Sequence, residues 1–224
     1  HIHISDHYEI TPKIDDNRIT INDKSGEKKS AALLFYSASS LEHDLLNSFE
    51  FVEKKLDQVA ISASVNVQRK QHNSAYQLFT HDGPIALLPV QGNEASVVWS
   101  LEKNSSILKL EQNDLESQLN ELFKKHVSKL KIKNIQTQKL SFSYAKNMYQ
   151  DKIVLIGNVA HNIHPIAGQG FNLTVKDISK IVYYTKKYHS LGLDFNSNQV
   201  LENFSNSRKY DNFAFSFGTL AMEN

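Results

Sequence analysis

Residues 151–173, DKIVLIGNVAHNIHPIAGQGFNL, contain the pattern that decides the fold of this chain. The segment IVLI, residues 153–156, is a short apolar run rich in β-branched residues, which is typical of a strand buried in a parallel sheet. Gly157 ends this strand, and Gly168-Gln169-Gly170 precede apolar residues at helical spacing. The backbone can approach a ligand closely where there is no Cβ, and a helix N-terminus offers free N–H groups. The stretch therefore predicts a strand, a loop and a helix that together hold a cofactor. The apolar positions of the predicted helix are Phe171, Val175, Ile178, Ile181 and Val182.

Composition limits the classes of function. With 224 residues the chain can form one large domain or two small ones. A formal net charge of +1 gives no electrostatic reason to expect a nucleic-acid partner. The absence of cysteine excludes disulfides, thiolate metal ligands and a cysteine nucleophile, and it fits a reducing compartment. No apolar run is long enough to cross a bilayer and no signal peptide is evident, so we expect a cytoplasmic protein.

The region before the central stretch reads mostly as strands. Residues 8–37 predict antiparallel strands, with one turn at Asp15-Asp16-Asn17 and another at residues 24–27. A short helix is predicted at residues 41–54. In residues 57–67, DQVAISASVNV, alternation places every second apolar side chain on one face of a strand. YQLFT, IALLPV and EASVVWSL extend the strand-rich region and place Trp99 in its core.

Besides the short helix at residues 41–54, two longer helices are predicted outside the central stretch. Residues 113–127 show an apolar stripe that core packing explains fully, and Asn113 and Glu116 have the spacing of a capping box. The strand QKLSFSYA then returns the chain to the central stretch. Residues 198–222 predict the second helix.

The central stretch resembles the second flavin-binding motif of the FAD-dependent aromatic hydroxylases, and it most resembles the ubiquinone-biosynthesis branch of that family. The likeness lies in GNVAHNIHPIAGQGFNL, residues 157–173, because an Asn commonly follows the strand-ending Gly in that branch and HPIAGQGFNL is characteristic of it. The segment LFTHDGPIALLPV, residues 78–90, is similar to a phrase in the middle sheet of the family. In residues 206–224, Arg208, Asp211 and Asn212 occupy positions that recur in the late helix of the family.

Two parts of the family pattern are missing from the chain. The strand, GxGxxG turn and helix that hold the FAD pyrophosphate in the family have no counterpart. A Gly-Ala-Asp-Gly type motif is replaced by LFYSASS at residues 34–40. In the family more helix also follows the region that matches the C-terminal residues. These departures indicate either a fragment of a longer protein or a lineage that has lost the dinucleotide-binding half.

The resemblance implies a mixed fold, α+β / α/β. It is a partial flavin-monooxygenase fold of the p-hydroxybenzoate-hydroxylase type, with an antiparallel substrate-domain sheet and part of a Rossmann-like FAD domain. The expected organisation is a β-hairpin and remnant of the FAD domain at residues 1–56, and the substrate-domain sheet with one helix at residues 57–145. The FAD-domain strand, the GQG loop and the C-terminal helices follow at residues 146–224.

The resemblance also implies FAD as the cofactor. Asn158 is expected to hydrogen-bond a ribityl hydroxyl, and the backbone N–H groups of residues 168–170 are expected to face the flavin ring where negative charge develops on reduction. The middle sheet is expected to form the floor of the substrate pocket. The expected cofactor-binding residues are Gly157, Asn158, Pro165, Gly168, Gln169, Gly170, Phe171 and Asn172, and the expected substrate-pocket residues are Leu87, Pro89 and His164.

The remaining polar residues of the central stretch receive minor roles. His161 and His164 form an H-x-x-H pair, but no third ligand at a suitable spacing accompanies them, so no metal site is predicted. Asp177 is expected only to cap the helix or to pair locally. No residue is identified as a catalytic acid or base.

The function implied by the resemblance is that of a FAD-dependent monooxygenase that hydroxylates an aromatic ring, with a polyprenylated phenol of ubiquinone biosynthesis as the expected substrate. Such an apolar substrate implies peripheral membrane contact or association with other quinone-biosynthesis proteins. The alternative is a flavin-free binding or scaffold subunit descended from such a hydroxylase. The missing glycine motifs favour the alternative, whereas the intact GNVAHNIHPIAGQGFN segment favours the enzyme.

Overall fold

The structure is a computed structural model that describes residues 8–15, 18–23, 28–38, 44–69, 74–162 and 169–221. In this part of the chain, eight strands come first, one helix and four more strands follow, and two long helices come last. The elements are β1 (Tyr8–Asp15), β2 (Arg18–Asp23), β3 (Lys28–Ala31), β4 (Leu34–Tyr36), β5 (Phe51–Arg69), β6 (Tyr76–Thr80), β7 (Gly83–Pro89), β8 (Glu94–Glu102), α1 (Gln112–Phe123), β9 (Val127–Ala145), β10 (Tyr149–Gln150), β11 (Ile153–Leu155), β12 (His161–Asn162), α2 (Gln169–Ser190) and α3 (Asn198–Ala221).

The chain folds into two compact units, of which the first is built from two separate segments. The first unit comprises His1–Lys54 and Phe142–Asn224, and the second comprises Lys55–Ser141. The central stretch and both long helices belong to the first unit. The second unit carries most of the antiparallel sheet.

The second unit contains most of a six-stranded antiparallel sheet, with α1 packed on one face. Strand order in the sheet runs β12-β9-β5-β8-β7-β6. The predicted alternation is confirmed, because Ile61 and Val65 of β5 are buried while the intervening serines are exposed. These side chains form one apolar core with Trp99 of β8 and with Phe123 of α1. An amphipathic helix and one apolar sheet face bury each other, which is the usual way for such a layer to become stable.

The first unit contains a small three-stranded mixed sheet. β11 pairs in parallel with β4, with Val154 opposite Phe35, and β10 pairs with the other edge of β11. All three residues of β11 are buried, as the apolar run predicts. Separately, β1, β2 and β3 form an antiparallel sheet. The fold is therefore mixed, as the sequence predicts, with one antiparallel sheet in the second unit and a short parallel pair in the first.

Three predictions of local structure were wrong. Residues 8–37 were predicted to form antiparallel strands, but β4 pairs in parallel with β11. The tertiary fold, and not the local sequence, determines which strand lies beside β4. Among the described residues 44–54 of the predicted helix at residues 41–54, Asp44–Ser48 forms a 3-10 segment, and β5 already begins at Phe51. The predicted capping box is absent: Glu111 is the N-cap of α1, and the Glu116 carboxylate instead accepts a hydrogen bond from the Ile132 N–H at 2.8 Å.

The helix α2 packs through a different face from its apolar stripe. Leu173 and Ile181 are buried, whereas Phe171 is 75 % exposed and Ile178 is 47 % exposed. Val175 and Val182 are exposed as well. Of the predicted apolar positions, Ile181 is therefore the one that joins the core of the first unit. Helical periodicity locates the helix but does not determine which face packs.

Membrane-spanning helices are absent from the described residues, since none of their helices combines the length and the apolar character that a bilayer crossing needs.

Candidate functional site

The buried strand β11 ends in a tight turn that only glycine fits well. Gly157 has a positive φ of 80°, a left-handed conformation that residues with a Cβ rarely adopt. A Cβ at this position would lie 3.2 Å from the Ser37 Oγ and 3.7 Å from the Thr174 Oγ1. The turn continues as a 3-10 segment, Gly157–Val159, and the Ala160 N–H donates to the Gly157 carbonyl. Gly157 thus brings the end of β11 against both β4 and α2.

The first turn of α2 stands beside this strand-end turn. A Cβ built on Gly170 would lie 3.9 Å from the Asn158 Oδ1, which is the nearest described atom outside the first turn of α2 itself. The Thr174 hydroxyl donates to the Gly170 carbonyl at 3.1 Å, which supports the first turn. The first four N–H groups of a helix have no acceptor within the helix. The structure therefore places an exposed asparagine side chain next to a helix N-terminus whose glycine leaves the backbone open.

The predicted cofactor residues fall into two groups in the structure. Gly157, Asn158 and Gly170 are brought together, and Phe171 and Asn172 follow on the exposed first turn of α2. Gln169 begins α2, but its side chain lies outside the described residues. Pro165 and Gly168 lie outside the described residues altogether, as does His164.

A buried polar network includes His161, which follows this turn in the chain, and Asp177 of α2. His161 Nε2 and Asp177 Oδ2 are 2.5 Å apart, and Arg208 Nε donates to Asp177 Oδ1 at 2.6 Å. The side chains of His161, Asp177 and Arg208 are at most 1 % exposed. The network joins β12, α2 and α3. An ionised carboxylate only accepts hydrogen bonds, so the proton in the contact between His161 and Asp177 lies on His161 Nε2.

This network was not predicted from the sequence. Asp177 was expected only to cap the helix or to pair locally, whereas its partners lie 16 and 31 residues away in the chain. His161 was considered only as one of two metal ligands. The signal that the sequence did contain was a charged residue at a position where α2 has its buried face, between Leu173 and Ile181. Within the described part of the chain no group of three or more His, Cys, Asp or Glu side chains is suited to hold a metal ion.

Two of the three predicted substrate-pocket residues, Leu87 and Pro89, lie on the covered face of the antiparallel sheet. Leu87 is 3 % exposed and belongs to the core beneath α1, and Pro89, two residues along β7, points to the same side. The opposite face of β7 carries Leu88, which is 41 % exposed. Across the strands, Leu88 is opposite Ser96, and Ala86 is opposite Val98. The more open apolar surface of this sheet is therefore the face away from α1.

A separate polar cleft lies between β10 and α3 and contains none of the predicted site residues. Its volume is about 300 Å³, and Tyr149, Glu202 and Lys209 are among the residues that line it. Burial, and secondarily the nearby Glu202 carboxylate, raises the pKa of the Tyr149 hydroxyl above its ordinary value. The cleft wall is held by Ser205, whose hydroxyl accepts a hydrogen bond from the Met148 N–H at 3.1 Å.

Comparison with solved structures defines the class of fold. The chain is similar to p-nitrophenol 4-monooxygenase PnpA from Pseudomonas putida DLL-E4, with a TM-score of 0.70 and 16 % sequence identity. The similarity covers 96 % of this chain and 55 % of PnpA. At this level of identity the comparison shows the fold, which is that of part of a flavin monooxygenase.

Sequence comparison then gives the family. A sequence model of the FAD binding domain matches residues 39–184, and the chain belongs to this family. It is 29 % identical over 158 residues to ubiquinone hydroxylase UbiL from Rhodospirillum rubrum, and 30 % identical over 157 residues to 3-demethoxyubiquinol 3-hydroxylase from Escherichia coli K12. Each match covers 69 % of this chain but only 37 % and 40 %, respectively, of the relative. The resemblance to ubiquinone-biosynthesis hydroxylases is confirmed, and the match spans less than half of these relatives' length.

The residues at the strand-end turn fit the cofactor of the family. The exposed Asn158 side chain offers an amide donor and acceptor. Gly170 has no Cβ, and among the described atoms outside its own helical turn a Cβ built there would come no closer than 3.9 Å to the Asn158 Oδ1, so a ligand can approach its backbone. The positive end of the α2 dipole favours the negative charge that a reduced flavin ring carries. FAD is therefore the group that this family and this turn support.

Proposed function

We propose that this chain is part of a FAD-dependent monooxygenase that hydroxylates an aromatic ring, with a polyprenylated phenol of ubiquinone biosynthesis as substrate. The observation that supports this most directly is the juxtaposition of Asn158 and Gly170 at the N-terminus of α2, within the segment that matches the FAD binding domain. The names of the relatives, which are ubiquinone-pathway hydroxylases, support the substrate class.

Each residue of the turn has a physical role under this proposal. Asn158 binds a ribityl hydroxyl, the N–H groups at the start of α2 face the ring edge that becomes negative, and Asn172 contacts the pyrimidine side. Gly157, Gln169 and Phe171 complete the described part of the site, and Pro165 and Gly168 stay predictions. Reduced FAD, when bound, supplies the electrons that activate O₂, and the protein supplies orientation and exclusion of water.

We place the apolar substrate with the antiparallel sheet. Leu87, Pro89 and His164 are the pocket residues predicted from the sequence. Leu87 is only 3 % exposed in the core beneath α1, so we assign the substrate surface to the opposite face of β7, where Leu88 is 41 % exposed. A polyprenyl tail is strongly apolar, which supports peripheral membrane contact or association with other quinone-biosynthesis proteins.

The experiment that tests the proposal is titration of the purified chain with FAD, followed by the visible absorbance and fluorescence of the flavin. We expect saturable binding with a perturbed flavin spectrum. Asn158→Ala should weaken binding by roughly 2- to 10-fold, which corresponds to one net hydrogen bond. Asn113→Ala is the matched control, since Asn113 is an exposed asparagine on α1, in the second unit.

Two results would decide against the proposal. If the chain gives no flavin signal at any FAD concentration, this polypeptide does not bind FAD by itself and the proposal fails for it. If FAD binds but Asn158→Ala and Asn113→Ala bind it equally well, the flavin lies elsewhere. Oxygen incorporation into a prenylated phenol, detected by mass spectrometry with FAD and a reductant present, then tests the hydroxylase activity itself.

A further inference from the structure

The buried network of His161, Asp177 and Arg208 connects to the strand-end turn from both sides. His161 follows Asn158 by three residues, and the short strand that contains it pairs with β9, with His161 opposite Tyr144. Asp177 follows Gly170 by seven residues, which is two helical turns along α2. The hydrogen bond between His161 and Asp177 therefore links the segment that carries Asn158 to α2, the helix whose first turn contains Gly170.

The third member of the network fixes the carboxylate itself. Arg208 holds one oxygen of Asp177, at 2.6 Å, and leaves the other for His161. A buried carboxylate with both oxygens engaged has little rotational freedom, and a charge-assisted bond is stronger than a neutral one. The direction of the bond to His161 is thus set by α3, although α3 contributes no predicted cofactor residue within the described chain.

One atom of the network is buried without a hydrogen-bond partner in the described part of the chain. His161 Nδ1 is buried and has no hydrogen-bond partner among the described residues. An apolar side chain at position 161 would avoid this unsatisfied atom, and most buried polar atoms in proteins are satisfied. A histidine is favoured here when the free energy gained by the Nε2 hydrogen bond exceeds the free energy lost by burying Nδ1 without a partner.

We propose that His161, Asp177 and Arg208 are positioning residues that hold the N-terminal turn of α2 against Asn158, and thereby set the geometry of the flavin site. This inference rests on the proposed function for its consequence, but its structural part is independent of FAD. The network acts through the placement of Asn158 and Gly170, and it needs no contact of its own with the cofactor.

The test compares three variants of the complete chain. His161→Leu removes the bond to Asp177 but leaves the Asp177–Arg208 pair intact, so no buried charge is stranded. His161→Gln restores an amide donor at a similar position and serves as the rescue. Ile181→Ala is the matched control, because it removes buried apolar volume from the same helix outside the network.

Two readouts are measured at a temperature at which circular dichroism shows every variant folded. The first is amide hydrogen exchange without FAD. We expect faster exchange in residues 173–176, the first amides of α2 that have acceptors within the helix, for His161→Leu. Exchange there should be unchanged for His161→Gln and Ile181→Ala. Exchange in α1 should be unchanged in all three variants and serves as the internal reference.

The second readout is the FAD dissociation constant with the flavin spectrum. We expect His161→Leu to weaken binding by roughly 2- to 10-fold, the loss that corresponds to one net hydrogen bond from a displaced Asn158, and the other two variants to stay near wild type. If His161→Leu and Ile181→Ala behave alike in both readouts, the network only stabilises the fold and the inference is overturned. If wild type binds no FAD, the proposed function fails, and the exchange measurement alone still decides whether the network holds the turn.

Discussion

Asp177 accepts a hydrogen bond from Arg208 Nε at 2.6 Å, and neither side chain is exposed to solvent. The pair joins the two long helices of the first unit. A buried pair is not necessarily better than two apolar residues of the same shape, but removal of one partner leaves an uncompensated charge in the interior. The pair therefore makes the stability of the first unit sensitive to either residue.

We predict that Arg208→Met lowers the free energy of unfolding by about 3–5 kcal/mol, because the Asp177 carboxylate loses the charge that balances it. Urea unfolding followed by circular dichroism measures this loss. Lys103→Met is the control, since the Lys103–Asp57 ion pair is solvent-exposed and should contribute little. Equal effects of the two variants would show that the buried pair carries no special weight.

The left-handed turn at the end of β11 gives a second prediction. Gly157→Ala and Gly192→Ala both place a Cβ on a left-handed backbone, at φ values of 80° and 71°, and each should lose about 1–2 kcal/mol for that reason. The Cβ of Gly157→Ala also meets the Ser37 Oγ at 3.2 Å, whereas a Cβ at Gly192 meets nothing within 4 Å. Thermal unfolding should show the larger loss at position 157.

A double variant separates the two contributions at this turn. Ser37→Gly removes the hydroxyl that a Cβ at position 157 approaches. It should recover the contact part of the loss in Gly157→Ala and leave the backbone part unchanged. A double variant as unstable as Gly157→Ala alone would contradict the contact explanation.

The two faces of α2 give a third prediction. Ile181→Ala should lower the free energy of unfolding by about 2–5 kcal/mol, because Ile181 is 3 % exposed within the core of the first unit. Ile178→Ala, three residues earlier on the same helix, should stay within about 0.5 kcal/mol of wild type, since its side chain is 47 % exposed. Denaturant unfolding of the two variants side by side tests this, and a comparable loss at position 178 would mean that its face of α2 is covered.

The exposed ion pair between Glu50 and Lys146 gives a pH-dependent prediction. The hydrogen bond and charge of Lys146 lower the pKa of the Glu50 carboxyl below its ordinary 4.5, and Glu50 raises the pKa of Lys146. A carboxyl whose pKa is lower when folded adds stability above its unfolded pKa and loses it as the pH falls through the folded pKa. NMR titration should show the Glu50 pKa rising toward 4.5 in Lys146→Met, and an unchanged midpoint would contradict the pairing.

The local elements of the central stretch could be predicted because short-range chemistry determines them. The apolar run of residues 153–156 and the following glycine locate β11 and its turn, and helical spacing after residue 168 locates α2. The order of residue types in GNVAHNIHPIAGQGFNL identified the family. The same reasoning placed Asn158 and Gly170 in one candidate site, and the structure brings them together.

The tertiary structure decided which distant elements meet, because no local pattern records a contact across many residues. The parallel pairing of β4 with β11 joins segments more than a hundred residues apart, and sequence reasoning had assigned β4 an antiparallel neighbour. The same limit hid the partners of Asp177 and the packed face of α2. Sequence alone thus determined the family, the strand and the helix of the site. Only the tertiary structure determined that the buried Asp177 carboxylate forms hydrogen bonds with His161 and Arg208.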